Sequence, residues 1–129
     1  MKFVCLDGST ISVNVNAKDY IRHKSRSEFQ AKVKAVLREL YKNYDILEDF
    51  PIPNSGNLSL DFFVPMLKLA IEVDGIQHTK FVPMFHRSRQ DFVTQTKNDG
   101  RKQEWCEMNG IRLIRVPHTT TDIKQMLSG

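Results

Sequence analysis

The sequence predicts an α/β fold in which a mixed central β-sheet is flanked by helices and preceded by an N-terminal β-hairpin. Three observations lead to this prediction. Polar and apolar residues alternate on both sides of the Asp7-Gly8 dipeptide, a later segment repeats apolar residues at helical spacing, and three strand-like runs precede a second helical segment and a final strand. This order of elements indicates helices packed on a mixed sheet.

The first two elements have the clearest signals. Asp7-Gly8 suits a tight turn, so "KFVCLDGSTISVNV" predicts a β-hairpin. Ser27 and Gln30 have the spacing of a capping box, and apolar residues then recur three and four positions apart. We therefore expect an amphipathic helix at residues 27–43.

Strand signals occupy the centre of the chain, where apolar runs are bounded by proline, glycine and asparagine. The elements predicted after the first helix are strands at 45–53, 58–64 and 67–74, a loop at 79–89, a helix at 90–108 and a strand at 111–116. Gly100 costs the second helix about 1 kcal/mol relative to alanine. Asn109-Gly110 predicts the end of that helix, and Thr121 is the predicted cap of a short last helix.

Composition limits the class of protein. The 129 residues, 40% hydrophobic and 26% charged, suit one domain over residues 1–129. No apolar run approaches the roughly 20 residues of a membrane span, and no secretory signal follows Met1, so we expect a cytoplasmic protein with no membrane partner. Cys5 and Cys106 lack CxxC spacing, which predicts reduced, structural thiols. The formal net charge of +4 is a mild indication of a polyanionic partner.

Two adjacent strands carry acidic side chains at positions that their alternation sends to one face. Glu72 and Asp74 share a face of the strand that ends at Asp74. The strand before it is predicted to place Asp61 and Phe63 on one face and Leu58, Leu60, Phe62 and Val64 on the other. With the turn centred between residues 66 and 67, antiparallel register sets Asp61 opposite Glu72.

Three carboxylates on one patch require compensation. Like charges on neighbouring strands cost roughly 0.2–1 kcal/mol. A divalent cation such as Mg²⁺, which takes oxygen ligands, compensates them economically. The alternative is that Asp61 pairs with an arginine while Glu72 and Asp74 face solvent at the end of a strand.

The residues after the acidic strand favour a functional site. Gly75 permits a sharp turn or the close approach of a ligand. His78 follows Asp74 by four positions and is a side chain able to move a proton near neutral pH. On its own a histidine is more often structural, but beside three acids it becomes a candidate general acid or base.

Two stretches of the sequence resemble a known superfamily. "LSLDFFVPMLKLAIEVDGIQH" and "KNDGRKQEWCEMNGIRLIRV" are similar to PD-(D/E)xK nucleases, and within them to very-short-patch-repair-like and phage homing-type endonucleases. The resemblance covers residues 25–116. It implies a restriction-endonuclease-like fold with a catalytic core at 25–117, an N-terminal extension at 1–24 and a C-terminal tail at 118–129.

The resemblance also implies roles for individual residues. It makes Glu28 the helix glutamate, Asp61 the metal ligand of the hairpin and Glu72 the first acid of the second motif. Asp74 stands where the superfamily usually has its lysine, which puts the role of that lysine in doubt. Glu28 is either an outer-shell ligand or an ordinary acid in the first turn of a helix.

In the branch that the sequence resembles, the implied variant site consists of Asp74, Gln77 and His78, with Asp99 and Lys102 from the following helix. Lys102 or His78 would stabilise charge in place of the missing lysine. The alternative for Asp99 and Lys102 is that they pair with each other at i and i+3 on a helix face.

The resulting hypothesis is a Mg²⁺- or Mn²⁺-dependent DNA endonuclease that hydrolyses phosphodiester bonds. Asp61, Glu72 or Asp74 and the Val73 carbonyl would hold the cation, His78 would assist proton transfer, and Gln77 would orient water or phosphate. The predicted phosphate contacts are Arg87, Arg89, Arg101, Arg112 and Arg115. Trp105 is predicted to lie in the core.

Two other functions are consistent with the sequence. The first is a non-catalytic nucleic-acid-binding or partner-binding protein that keeps the fold. The second is a Holliday-junction resolvase, which shares the chemistry and predicts a homodimer.

Overall fold

The predicted α/β order of elements is confirmed. The computed structural model describes residues 1–22, 24–74 and 89–128, and the side chains of residues 89–92 lie outside this description. The elements are β1 (Lys2–Val4), β2 (Thr10–Ser12), α1 (Glu28–Leu40), β3 (Leu47–Pro51), β4 (Ser59–Val64), β5 (Leu69–Asp74), α2 (Arg89–Met108), β6 (Arg112–Pro117) and α3 (Ile123–Ser128).

The central sheet has four strands in the order β3-β4-β5-β6. The β3–β4 and β4–β5 pairs are antiparallel, whereas β5 and β6 are parallel. Parallel neighbours need a crossover connection, and α2 lies on the chain between these two strands. The sheet is therefore mixed, as predicted.

The N-terminal hairpin forms at the predicted turn. β1 and β2 pair antiparallel, and Gly8 has a φ of 89°, a conformation that glycine adopts without a steric penalty. The Asp7 carboxylate accepts hydrogen bonds from the Ser9 backbone N–H at 2.9 Å and the Ser9 hydroxyl at 2.6 Å. Phe3 is buried and joins the core, so the hairpin packs on the sheet.

Helix α1 begins at the predicted cap. The Ser27 Oγ accepts a hydrogen bond from the Gln30 backbone N–H at 3.0 Å, and the Gln30 side-chain oxygen accepts one from the Arg26 backbone N–H at 3.2 Å. The helix ends at Leu40, three residues before the predicted end, because Tyr41 leaves helical geometry with a φ of −119°.

The sheet has a hydrophobic cluster on each face. On one face α1 and α3 cover the sheet, and the buried residues are Val33, Leu37, Phe62, Val64, Leu69, Ile71, Ile114, Val116, Ile123 and Leu127. On the other face α2 and the hairpin cover it, and the buried residues are Phe3, Leu47, Phe50, Ile52, Leu58, Leu60, Phe63, Ala70, Trp105, Cys106 and Ile111. Trp105 is a core residue, as predicted.

Two local predictions are wrong. Leu58 and Leu60 pack with Phe63 on the hairpin face and not with Phe62. The pairing of β3 with β4 skips one residue on each strand, Asp49 and Asp61, and Asp49 has a left-handed φ of 51°, so simple alternation fails on this part of the ladder. The last helix is capped by Asp122 rather than Thr121, since the Asp122 carboxylate accepts from the Gln125 backbone N–H at 3.0 Å.

The remaining elements agree with the sequence. Helix α2 runs through Gly100 to Met108, and Gly110 follows with a φ of 64°. Segment 118–129, predicted as a tail, contains α3, whose Ile123 and Leu127 are buried. The loop predicted at 79–89 falls outside the described residues except for its last position. Among the described helices none is long and apolar enough to cross a membrane.

Candidate active site

The register of β4 and β5 brings Asp61 and Glu72 together. Paired residues end at Phe62 and Ile71, and the same register continued by one residue sets Asp61 opposite Glu72, as predicted. The alternation predicted for β5 is also confirmed, since Ala70 packs on the hairpin face and Ile71 on the face covered by α1.

The two carboxylates bind the backbone of each other's strand. The Asp61 N–H donates to Glu72 Oε2 at 2.8 Å, and the Val73 N–H donates to Asp61 Oδ2 at 2.8 Å. These side chains therefore replace part of the backbone ladder at the end of the β4–β5 pair. Each of these oxygens accepts a backbone N–H of the neighbouring strand, so both side chains are held in fixed positions.

Lys102 brings α2 to the same site. Its Nζ atom lies 2.6 Å from Glu72 Oε1, and Glu72 is only 3% exposed. A buried carboxylate needs both a counter-charge and hydrogen-bond donors, and Glu72 receives them from Lys102 and from the Asp61 backbone. Asp61, Glu72 and Lys102 together are named the acid–lysine cluster below.

The acid–lysine cluster has an unfavourable concentration of negative charge at Asp61. Burial, followed by the charge of Glu72, raises the pKa of Asp61 to about 7. Arg26 is a cationic neighbour of Asp61, since its NH1 lies 3.7 Å from Asp61 Oδ1. Burial and the charge of Glu72 also raise the pKa of the neighbouring Cys106 thiol to about 12. A proton or a cation at Asp61 would relieve this repulsion.

Asp74 has a basic neighbour of its own, Arg115. Arg115 NH1 lies 3.7 Å from Asp74 Oδ1 and 3.9 Å from Asp99 Oδ1, and Arg115 NH2 donates to the Asp99 carbonyl at 2.8 Å.

Within residues 1–22, 24–74 and 89–128, no three His, Cys, Asp or Glu side chains lie close enough together to hold a metal. The described part of the site is therefore a pair of carboxylates with a lysine, and not the expected patch of three.

The sequence also allowed an arrangement without a metal, in which Asp61 pairs with an arginine while Glu72 and Asp74 face solvent, and this holds for Asp61 alone. Asp61 has an arginine partner, as that alternative stated. Glu72 and Asp74 do not face solvent, because each lies largely inside the protein beside Lys102 or Arg115. Each of the three carboxylates thus has a basic neighbour.

Other predicted site residues lie apart from the cluster or outside the description. Glu28 is exposed at the first turn of α1. Arg101 donates to the Ser55 carbonyl at 3.4 Å. Arg112 is exposed, and its partner in the β5–β6 strand pairing is Leu69. Leu69 precedes Glu72 by three residues, which is roughly 10 Å along the strand, so Arg112 lies away from Glu72. Four predicted residues are not described, either entirely or in their side chains: Gln77, His78, Arg87 and Arg89. Gly75 also lies outside the described residues.

Sequence reasoning missed Arg22, Arg26 and Asp49. Asp49 falls between the paired residues Glu48 and Phe50 of β3, and Arg26 NH2 lies 3.3 Å from Asp49 Oδ1. Arg22 also pairs with Asp49. Strand alternation fails at Asp49, whose backbone is left-handed, and the two arginines come from an irregular segment, so neither has a periodic signal in the sequence.

Comparisons with known proteins place the chain near viral proteins. It is 42% identical over 71 residues to uncharacterized protein 307L of Invertebrate iridescent virus 6, covering 55% of this chain and 36% of that protein. It is 43% identical over 77 residues to uncharacterized protein 094L of Frog virus 3 (isolate Goorha), covering 58% of this chain and 50% of that protein. Uncharacterized protein 033L of Invertebrate iridescent virus 3 is 40% identical over 64 residues.

The chain spans half or less of the length of these viral relatives. No family model matches the chain, and no solved structure matches it significantly.

Proposed function

We propose that the protein is a metal-dependent DNA endonuclease of the PD-(D/E)xK type with a restriction-endonuclease-like fold. The observation that carries this proposal is the acid–lysine cluster, in which Asp61 and Glu72 from neighbouring strands are joined and Lys102 contacts Glu72. Two carboxylates on adjacent strands with a nearby amine suit phosphodiester hydrolysis. The mixed sheet with helices on both faces is consistent with the fold.

The donor set fits a divalent cation. Mg²⁺ and Mn²⁺ accept carboxylate oxygens and are commonly held by one or two carboxylates together with water and substrate phosphate. Asp61 and Glu72 would hold the cation, with the Val73 carbonyl as a further ligand, whereas Asp74 lies beside Arg115 and outside this pair. The raised pKa of Asp61 supports this assignment, because its cause is buried negative charge that a cation would offset. When bound, the cation would polarise the phosphate and acidify a water molecule.

Lys102 takes the place of the missing motif lysine in this proposal. Asp74 occupies the position where the superfamily usually has that residue, but Lys102 reaches Glu72 from α2. The Lys102 ammonium group, held beside the acidic pair, can stabilise negative charge that develops on a phosphate. His78 and Gln77 keep their proposed roles in proton transfer and orientation, and Glu28 keeps its proposed outer-shell role.

A non-catalytic binding protein is the second candidate. The observation that favours it is that Asp61, Glu72 and Asp74 each have a basic neighbour, which offsets part of their charge without a metal ion. A Holliday-junction resolvase would use the same residues as the endonuclease. Its distinguishing property is a preference for four-way junctions over linear duplex.

Nicking of supercoiled plasmid in Mg²⁺ or Mn²⁺ tests the proposal. Asp61→Asn, Glu72→Gln and Lys102→Met should each abolish metal-dependent nicking. Glu104→Gln is the matched control because Glu104 is exposed on α2, two residues from Lys102, and it should cleave like the parent protein. Tight, salt-sensitive DNA binding without cleavage in any of these divalent ions would support the non-catalytic protein instead.

A further inference from the structure

Five cations follow the outer edge of the sheet beside β3. Segment 22–38 contains six Lys or Arg residues and a single acid, Glu28, although the formal net charge of the whole chain is only +4. Five of the six are linked by contacts to one another or to β3, and they are named the basic rim: Arg22, Lys24, Arg26, Lys34 and Arg38.

The basic rim is held in place by backbone contacts. Lys34 Nζ donates to the Arg22 carbonyl at 2.9 Å, and Arg22 NH1 donates to the Lys24 carbonyl at 3.4 Å. The Arg26 N–H donates to the Gln30 side chain at the start of α1. The irregular segment before α1 is thus fixed to the helix, so its cations occupy a defined surface.

The acids of β3 do not balance the rim. Lys34 and Arg38 share Glu48, with nitrogen–oxygen distances of 2.9 and 4.0 Å. Arg22 and Arg26 share Asp49. With Asp61, which Arg26 also approaches, three carboxylates therefore serve four cations, and Lys24 is exposed beside them. The excess charge of this surface is positive.

The outermost guanidinium groups remain accessible. Arg26 and Arg38 have side chains that are 54% and 63% exposed. Ion pairs at such exposure contribute little to stability, so these groups can exchange a carboxylate for a phosphate at small cost. Arginine also matches phosphate geometry with two parallel donors.

Arg26 connects the rim to the acid–lysine cluster, since its NH1 lies 3.7 Å from Asp61 Oδ1. We propose that the basic rim binds the sugar–phosphate backbone of DNA, with Arg26 as the contact nearest to Asp61. The choice of DNA as the polyanion rests on the proposed function. Binding through the rim is nevertheless measurable without cleavage, so the two proposals fail separately.

Binding of a short fluorescent duplex in EDTA tests the rim. The double variant Arg26→Gln/Arg38→Gln should bind about tenfold more weakly than the parent protein, and the slope of log affinity against log salt should fall by about 0.9 for each lost phosphate contact. Lys32→Gln/Lys124→Gln is the charge-matched control. Lys124 pairs with Glu39 on α1, and Lys32 lies two helical turns before Glu39, on the side away from β3.

Equal losses in the two double variants would overturn the proposal, as would unchanged binding in Arg26→Gln/Arg38→Gln. The charge-conserving Arg26→Lys/Arg38→Lys should keep most of the affinity, and Lys24→Gln should weaken binding if the glutamine double variant does not fold. Binding of anionic lipid vesicles in preference to duplex would also overturn it. Loss of binding in the rim variants with no cleavage by the parent protein would support the rim and contradict the nuclease.

Discussion

Lys102 Nζ on α2 lies 2.6 Å from Glu72 Oε1 on β5. Thirty residues separate the two along the chain, so this contact fixes the end of the sheet to the helix that crosses from β5 to β6. Glu72 is almost fully buried, and removal of one partner of a buried ion pair leaves the other charge without compensation.

Lys102→Met should therefore destabilise the protein by about 3 kcal/mol, measured as the free energy of unfolding in urea at pH 7. Lys102→Arg should lose less because it keeps the charge. The double variant Glu72→Gln/Lys102→Met should recover part of the loss, since it removes the buried carboxylate as well. A loss in Lys102→Met no larger than that of Glu104→Gln would show that the ion pair is not stabilising.

Asp61 should make stability depend on pH. Its folded-state pKa of about 7 lies above the ordinary value of 3.8, so the folded protein keeps a proton that the unfolded chain has lost. As the pH rises from about 4 to about 7, this group should lower the free energy of unfolding by up to about 1.4 kcal/mol per pH unit. Asp61→Asn should remove this dependence in metal-free buffer.

Asp7→Asn is the control for that measurement. Hydrogen bonds from Ser9 lower the pKa of Asp7, so its contribution to stability is lost only when the pH falls below the ordinary value. The effect of Asp7→Asn should be the same at pH 5 and pH 7. If the effect of Asp61→Asn is also the same at these two values, the folded-state pKa of Asp61 is not raised.

Divalent cations should stabilise the folded protein. A ligand at 100 times its Kd raises the free energy of unfolding by about 2.7 kcal/mol, and Mn²⁺ at that level should produce this shift in thermal or urea unfolding. The shift should be larger at pH 7 than at pH 5, because binding at low pH must displace the proton of Asp61. Asp61→Asn should lose the shift and Glu104→Gln should keep it. Equal shifts in both variants would place cation binding elsewhere.

Both cysteines should be unreactive in the folded protein. Cys5 and Cys106 are free and fully buried. Burial raises the pKa of Cys106 from 9.0 to about 12, which lowers its thiolate fraction by about a thousandfold, and the thiolate is the reactive form. Thiol titration with an aromatic disulfide at pH 8 should find two thiols in urea and none at short times in native buffer. Rapid native labelling of Cys106→Ser would show that Cys5 is accessible.

Two glycines should respond in opposite directions to alanine. Gly100 lies inside α2 and Gly110 has a φ of 64°, and neither has an atom within 4 Å of an added Cβ. Gly100→Ala should raise the free energy of unfolding by about 0.5–1 kcal/mol through helix propensity. Gly110→Ala should lower it by about 1 kcal/mol because of its left-handed backbone. Changes of the same sign would contradict these backbone assignments.

Local patterns were sufficient to predict most of the fold. The cap at Ser27, the turn at Gly8 and the stop at Gly110 each depend on a few neighbouring residues. The face of Leu60 could not be predicted, since it depends on the interruption of the ladder at Asp49. That interruption is a property of paired strands and has no signal within either strand alone.

The candidate site was predicted only where strand register determines it. A hairpin centred between residues 66 and 67 sets Asp61 opposite Glu72, and the sequence contained that information. The approach of Lys102 and Arg26 depends on how α2 and the segment before α1 pack against the sheet. Those contacts are long-range, and periodicity in the sequence does not specify them.

The exchange of bonds between Asp61 and the strand of Glu72 has a consequence for mutagenesis. The carboxylates of Asp61 and Glu72, which would bind a metal, also hold the ends of β4 and β5 together, because they accept the N–H groups of Val73 and Asp61. Substitution of either residue by alanine would remove a hydrogen bond between the strands and a metal ligand at the same time. Loss of activity in such a variant would therefore not distinguish a structural role from a catalytic one. Asp61→Asn and Glu72→Gln keep an acceptor oxygen for the backbone N–H but remove the charge, so only these amide variants test the catalytic role separately from the structural one.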